Sequence, residues 1–273
     1  ADPGDLVPPN SGCWRPIALV ADPGTVVSAV APAPVVYANH EISHRVCDML
    51  FGALVRLAPE RVMACSQGTS AILTLGGVDH RSGARYVSYE TIKGGFGARP
   101  SKDGITGVAS GISNTMNTPI EVLEMSFPVR VERYAIVPDT GGPGRFRGGC
   151  GVERVWRILG LPSQASVCLE RTKSAPFGLA GGCAGAPGRI AVAGPEGTER
   201  ELVSKGPFTA PPAAQIRLQA PGAGGYGEPA RRDRERLRDD VVNGYVSPSA
   251  AVAEYGHPDR ASLECPDCRP GGA

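Results

Sequence analysis

Residues 89–128, Y-E-T-I-K-G-G-F-G-A-R-P-S-K-D-G-I-T-G-V-A-S-G-I-S-N-T-M-N-T-P-I-E-V-L-E-M-S-F-P, set the plan of the chain. Residues 85–92, rich in Tyr, Val and Thr, lead in as a strand. Gly94, Gly95 and Gly97 then let the backbone turn sharply and come close to a ligand, because no Cβ blocks the approach. Pro100 holds Arg99 extended. Asn114, Thr115, Asn117 and Thr118 follow as polar groups in apolar surroundings. Thr118-Pro119-Ile120-Glu121 reads as an N-cap, a proline at the first helical position and a capping-box glutamate. Glu124 lies one turn further on and serves as a first-turn acid. A strand, a glycine loop and a helix start in succession point to an α+β chain whose site is built on loops.

The glycines alone do not name a ligand. G-G-F-G-A-R-P lacks the Lys-Ser/Thr ending of a phosphate-binding loop and does not fit G-x-G-x-x-G. A plain glycine-rich connection satisfies the same pattern.

On the N-terminal side, residues 14–20 and 25–30 read as two strands around the turn Asp22-Pro23-Gly24. Asn39 then caps a helix that Pro59 ends. In it Ile42, Val46, Met49, Leu50, Ala53, Leu54 and Leu57 recur at spacings of three and four and mark the buried face. His40 and His44 stand four apart, but no H-E-x-x-H surrounds them, and they read as histidines facing solvent or a partner. Residues 70–77 form a strand that pairs with 85–92. Ser66 has no G-x-S-x-G context and is not a nucleophile.

On the C-terminal side the chain turns β-rich. Residues 129–137, 152–159, 166–171, 189–193, 200–203 and 215–219 are six short strands of a sandwich or barrel-like sheet. Arg145 and Arg147 flank Phe146 in a glycine-rich loop, placed to hold a phosphorylated group. A second glycine loop, 221–229, precedes a charged helix at 231–242. A last short helix begins at Ser247-Pro248. Three stretches follow from this reading: an α/β segment at 1–128, a β-rich segment at 129–229 and a helical tail at 230–273. Cys265-Pro266-Asp267-Cys268 is half a zinc-ribbon pattern with no second half.

Composition narrows the function classes. The net charge of +1 leaves no electrostatic footprint for nucleic acid or an anionic membrane surface. No apolar run approaches the ~20 residues of a membrane span, and no export signal is visible. Eight cysteines scattered through apolar or glycine-rich surroundings read as buried thiols of a cytoplasmic protein.

The motifs together carry a resemblance. E-T-I-x-G-G-x-G-A-R-P-x-x-D-G, N-T-x-N-T-P-x-E-x-x-E and P-V-R-V-E-R-Y are similar to the B-type chains of the hydantoinase/oxoprolinase family. P-D-T-G-G-P-G-R-F-R-G-G (138–149), F-G-L with G-G (177–182), P-G-A-G-G-Y-G-E-P (221–229) and N-G-Y-V-S (243–247) continue it in order. The histidines that the family often shows near 108–111 are missing here. The resemblance implies an A-type subunit that uses ATP to phosphorylate a carbonyl or amide oxygen. The B-type subunit then completes the reaction at a divalent metal, by hydrolysing a cyclic amide or, in ketone carboxylases, by forming a carbon–carbon bond. It also implies that the metal-binding half precedes this stretch. The expectation is therefore no cofactor bound by this chain. Zinc or manganese and ATP belong to partner chains, namely the A-type subunit and the chain with the metal-binding half. A small molecule is the substrate. Glu90, Arg99, Asn114, Asn117 and Glu124 are the candidate catalytic residues; Gly94, Gly95, Gly97, Arg145 and Arg147 are candidates for substrate binding. A ketone carboxylase subunit and a non-catalytic assembly subunit are the alternatives.

Overall fold

The computed structural model describes residues 10–109 and 111–258. The Cys265/Cys268 pair and Ser110 lie outside them. The chain divides into two compact units, Ala1–Ala38 and Asn39–Ala273.

In the first unit the two expected strands do not form. Asn10 accepts a hydrogen bond from the Gly12 N–H and starts a single 3-10 turn, Ser11–Trp14. A lone bridge joins Thr25 to Ser28. Leu19, Val20 and Val26 all stand exposed, so no apolar face rewards a ribbon here. Two strands without such a face are marginal in water.

The second unit is α+β, as the sequence indicates. Among the described residues nine antiparallel strands form two sheets. The first sheet runs β2 (Arg85–Thr91), β1 (Ile72–Val78), β5 (Ser163–Cys168), β8 (Lys205–Ala210). The second runs β3 (Val129–Ile136), β4 (Val152–Ile158), β9 (Gln215–Gln219), β6 (Arg189–Ala193), β7 (Glu199–Glu201). Strand β8 is not expected from the sequence, because K-G-P-F-T-A carries a glycine and a proline that argue against a strand. It sits at a sheet edge, where a missing N–H is tolerated. Strands β1 and β5 pair directly, Leu73 opposite Val167, so the expected α/β and β-rich segments share one sheet.

Both sheets contribute to one core. Leu73, Leu75 and Val167 of the first meet Val129, Trp156, Ile158, Ile190, Ile216 and Leu218 of the second. Strand β4, V-E-R-V-W-R-I, is buried along nearly its whole length. Its alternation puts Arg154 and Trp156 on one face and Glu153 and Val155 on the other.

The long helix departs from expectation in both start and orientation. Asn39 is not its cap: a π turn, Ala38–Ile42, leads into α1, Ser43–Leu54. The face turned inward is the polar one, with Glu41, His44 and Asp48 all buried. Met49, Leu50, Leu54 and Leu57 face out, Leu57 at 81% exposure. Polar side chains can be buried there because each finds a partner. Glu41 accepts from the Thr69 hydroxyl (2.7 Å) and the Ser70 N–H (3.0 Å). Asp48 pairs with Arg171 at 2.8 Å. His44, read from sequence as solvent-facing, lies 3.4 Å through Nε2 from the Ser70 hydroxyl.

Three shorter helices follow: α2 (Ile120–Ser126), α3 (Arg234–Val242) and α4 (Pro248–Ala253). Asp233 caps α3 and Ser247 caps α4 through their side chains. The Thr118 cap fails: Pro119 is the cap residue of α2, and the Thr118 hydroxyl goes elsewhere.

Between the sheets' ends the glycine-rich segments pack backbone against backbone. Residues 221–226 run through the middle. Gly95 and Ala98 donate to the carbonyls of Pro221 and Gly224, Gly142 donates to Ala223, and Gly224 donates to Cys65. Gly225 donates to Cys183 and Gly222 to Ala186. A Cβ on Gly97 would overlap the Ala64 carbonyl oxygen, and one on Gly95 that of Gly149. Glycine is demanded here by neighbouring backbone.

Cys65, Cys150 and Cys168 are buried free thiols, as expected, whereas Cys183 is exposed and Cys47 half-buried. Among the described residues no helix is long and apolar enough to cross a membrane.

Candidate functional site

Strand β2 delivers the first candidate. By alternation Ser88 and Glu90 point inward from it while Val87 and Tyr89 are exposed. Glu90 Oε2 accepts from Arg154 Nη1 of β4 at 3.0 Å, so the pair ties one sheet to the other. Its Oε1 accepts from the Thr118 hydroxyl at 2.9 Å. Beside it lies Lys93, which no sequence motif singles out. Lys93 is buried, and its ammonium donates to the Thr91 hydroxyl at 2.9 Å. Burial pushes its pKa down, with Glu90 opposing that shift and Arg154 adding to it.

Arg154 is the second residue that the motifs do not reveal. It is fully buried, with its guanidinium 4.4 Å from the centre of the Tyr134 ring and 5.6 Å from that of Trp156. Its Nε and Nη2 are buried without hydrogen-bond partners. Asn117 Nδ2 donates to the Tyr134 hydroxyl at 2.6 Å, so the exposed segment 113–118 straps down over this group through Asn117 and Thr118. Of the candidate catalytic residues, the structure thus brings Glu90 and Asn117 together. Asn114 is exposed on the same strap.

The other candidates are dispersed or committed. Glu124 Oε1 accepts from the Val131 N–H at 2.8 Å, beside the irregularity between Val131 and Arg133 in β3. That carboxylate is a structural acceptor. Gly95 and Gly97 do not offer their N–H groups to a ligand: they donate to Pro221 O (3.1 Å) and Ser66 Oγ (3.1 Å). Gly94 is buried, and a Cβ there would overlap the Gln67 side chain.

Arg147, a candidate for substrate binding, is engaged within the fold. It is buried and pairs with Asp240 of α3 at 3.2 Å, with its guanidinium 4.6 Å from the centre of the Tyr245 ring. Arg232 joins it, donating to both oxygens of Asp103 at 2.8 and 3.1 Å. Two arginines and two aspartates close a neutral cluster that fastens α3 to the glycine loops. Arg145 remains exposed, beside the Phe146 ring, and lines a cavity of about 210 Å³ with Pro100, Tyr226 and Arg231. Arg99 is half-buried; its Nη2 donates to the Asp103 carbonyl at 3.3 Å and its Nε has no partner.

Among the described residues no group of three or more His, Cys, Asp and Glu comes together to hold a metal ion.

Comparison with known proteins agrees with the motif order. The hydantoinase B/oxoprolinase family model matches residues 3–229. The putative B chain of a D-/L-hydantoinase of Pseudomonas sp. is 34% identical over 91% of this chain and 42% of its own length. The beta chain of the caprolactamase of Pseudomonas jessenii is 33% identical over 92% of this chain and 45% of its own. The chain thus spans less than half the length of these relatives. The crystal structure of the ATP-dependent caprolactamase from Pseudomonas jessenii superposes with a TM-score of 0.83 and 29% identity, covering 96% of this chain and 47% of that one. Acetone carboxylase shares the fold, with a TM-score of 0.64 at 21% identity over 71% of this chain and 30% of that one. Matched from its third residue through the second glycine loop, the chain belongs to the hydantoinase B/oxoprolinase family.

Proposed function

We propose that this chain is the C-terminal half of a hydantoinase B-type subunit in an ATP-dependent cyclic-amide hydrolase. The observation that carries this reading is the agreement with the ATP-dependent caprolactamase over nearly the whole chain, in fold and in sequence together. The substrate is a small lactam, hydantoin or oxoproline whose carbonyl oxygen has been phosphorylated by an A-type partner. Water then adds to the activated carbon and the ring C–N bond breaks to give a free amine and an acyl phosphate, which a second water hydrolyses to carboxylate and inorganic phosphate. ATP sits on the A-type partner, and the chain with the metal-binding half holds zinc or manganese, whose chemistry is to supply an activated water. This chain contributes the wall that receives the substrate's anionic part.

Arg99 and Arg145 are the half-buried and exposed guanidinium groups of that wall, and Asn114 and Asn117 stand on the strap over Glu90 and Tyr134. A guanidinium grips two oxygens of a phosphoryl group where an ammonium gives one point of charge. Arg99→Lys therefore slows turnover of the assembled enzyme roughly ten- to hundred-fold, the scale of one lost charge-assisted contact. A destabilised but fully active Arg99→Lys complex would assign the residue to the Asp103 loop instead.

The deciding experiment mixes this chain with an A-type subunit and the metal-binding half. It then follows ATP-dependent ring opening of caprolactam, hydantoin and 5-oxoproline. Ring opening that requires all three components supports the reading. ATP-dependent fixation of bicarbonate onto a ketone, with no ring opened, would replace it with a carboxylase. Full activity without this chain would leave it an assembly subunit.

A further inference from the structure

Three clusters of charge are buried in the second unit, and their balance differs. On α1, Glu41, Asp48 and Glu170 bear on Arg45 and Arg171. Under α3, Asp103 and Asp240 face Arg147 and Arg232, two acids against two bases. Between the sheets, Glu90 alone faces Lys93 and Arg154. Glu90 and Arg154 are the charges that bear on Lys93. An uncompensated buried charge costs several kcal/mol and is not left in place without a partner.

The orphaned donors lie in the same cluster. Arg154 uses one nitrogen on Glu90 and leaves Nε and Nη2 buried and unpartnered, at 0% exposure of the residue. Lys93 has three N–H donors, of which the Thr91 hydroxyl takes one. The cover is light: two side-chain hydrogen bonds, Thr118 to Glu90 and Asn117 to Tyr134, hold an otherwise exposed segment across it.

We infer that Lys93 and Arg154 form an oxyanion-binding site beneath the Asn117–Thr118 strap, closed by Glu90 on one side and filled by a carboxylate or phosphoryl group. One bound monoanion brings the cluster to the same neutrality as the one under α3. The unpartnered Arg154 nitrogens and the ammonium are donors of the kind an oxyanion accepts with two oxygens at once. The cyclic-amide reading offers two sources for that group, the phosphoryl of the activated substrate and the carboxylate that ring opening creates. The site itself rests on geometry and charge, so it holds or fails independently of ring opening.

The test uses the full chain and thermal melting with inorganic phosphate, acetate or chloride at equal ionic strength. Phosphate or acetate raises the melting temperature of the wild type by a few degrees beyond chloride. The larger shift tells phosphoryl from carboxylate. Lys93→Met melts higher than the wild type in chloride, because a buried charge has gone, and loses the oxyanion increment; Lys93→Arg keeps the increment. A wild type equally stable in all three salts overturns the site. So does a Lys93→Met chain that retains the full increment or melts lower in chloride, since Lys93 would then be a satisfied structural residue.

Discussion

Arg147 and Asp240, 93 residues apart, form a buried ion pair at 3.2 Å that pins helix α3 to the glycine loop at 142–149. Removing Arg147 leaves Arg232 as the remaining partner of Asp240 and sets two aspartates against one arginine, and an uncompensated buried charge costs about 3–5 kcal/mol. Arg147→Met should lower the melting temperature by roughly 10 °C. Were Arg147 a hand for substrate instead, turnover would fall and melting would stay put; measuring both on one preparation separates the two.

Glycine-to-alanine exchanges should divide sharply by place. At Gly97 the new methyl meets the Ala64 carbonyl, backbone against backbone, with nothing flexible to yield. Gly97→Ala should destabilise by more than about 3 kcal/mol or prevent folding. At Gly197, φ is +82° but the space is open, so alanine carries only the left-handed backbone cost of roughly 1–2 kcal/mol. Denaturant melts of the two variants check this, and equal midpoints would contradict the packed-backbone account.

Glu41 should make stability depend on pH. Burial raises its carboxyl from an ordinary 4.5 to about 7, against the hydrogen bonds from Thr69 and Ser70. Between those values the folded chain keeps a proton that the unfolded chain has released. Stability therefore falls as pH rises from about 4.5 to about 7, by about 3 kcal/mol from this group, and levels off above. Glu41→Gln should remove that slope; the quantity to measure is the difference between wild type and variant, because His44, with its pKa lowered by burial, titrates in the opposite sense.

The outward face of α1 should govern association. Leu50, and Leu57 just beyond the helix end, are exposed, so glutamate at both should leave melting within about 0.5 kcal/mol of wild type. Exposed apolar patches associate. The isolated wild-type chain should therefore sediment as oligomers, and the double variant should shift toward monomer. A wild type that sediments as a clean monomer would refute this.

Much of the fold is legible in the sequence. Strand β9, Q-I-R-L-Q, alternates and is flanked by turns; α4 announces itself through Ser247-Pro248. The failures have particular causes. Periodicity in α1 correctly marks an apolar face but says nothing of what covers it, and here the buried partners of Glu41 and Asp48 decide the orientation. Glycine's freedom serves a ligand's approach and another backbone's approach equally well, and the letters G-G-F-G are the same for both. Lys93 and Arg154 escape a motif search because a single cation, just past a strand or within one, carries no spacing signature. The available signal is V-E-R-V-W-R-I itself: charges at successive positions among large apolar residues mark a strand covered on both faces, where a charge must have a use. The fold partners of Glu124 and Arg147 are not legible either, because a carboxylate that accepts a backbone N–H, or a guanidinium that holds a helix, looks the same in one dimension as one that holds substrate.

The glycine-loop packing has a consequence for the order in which this protein folds. Its central run at 221–226 bonds to residues near 65, 95, 142 and 183, so every contact joins segments far apart in the chain or waits on one that does. None can form by local search, and each is worth little until the others are in place. Such topologies close slowly, because the entropy of joining distant segments is lost before the contacts return it. The sheets, with hairpins such as β1–β2, can assemble first. The interior where Gly95, Gly149 and Ala223 meet then locks as a single late event, and a fault in any one glycine is felt by the whole rather than by its own loop.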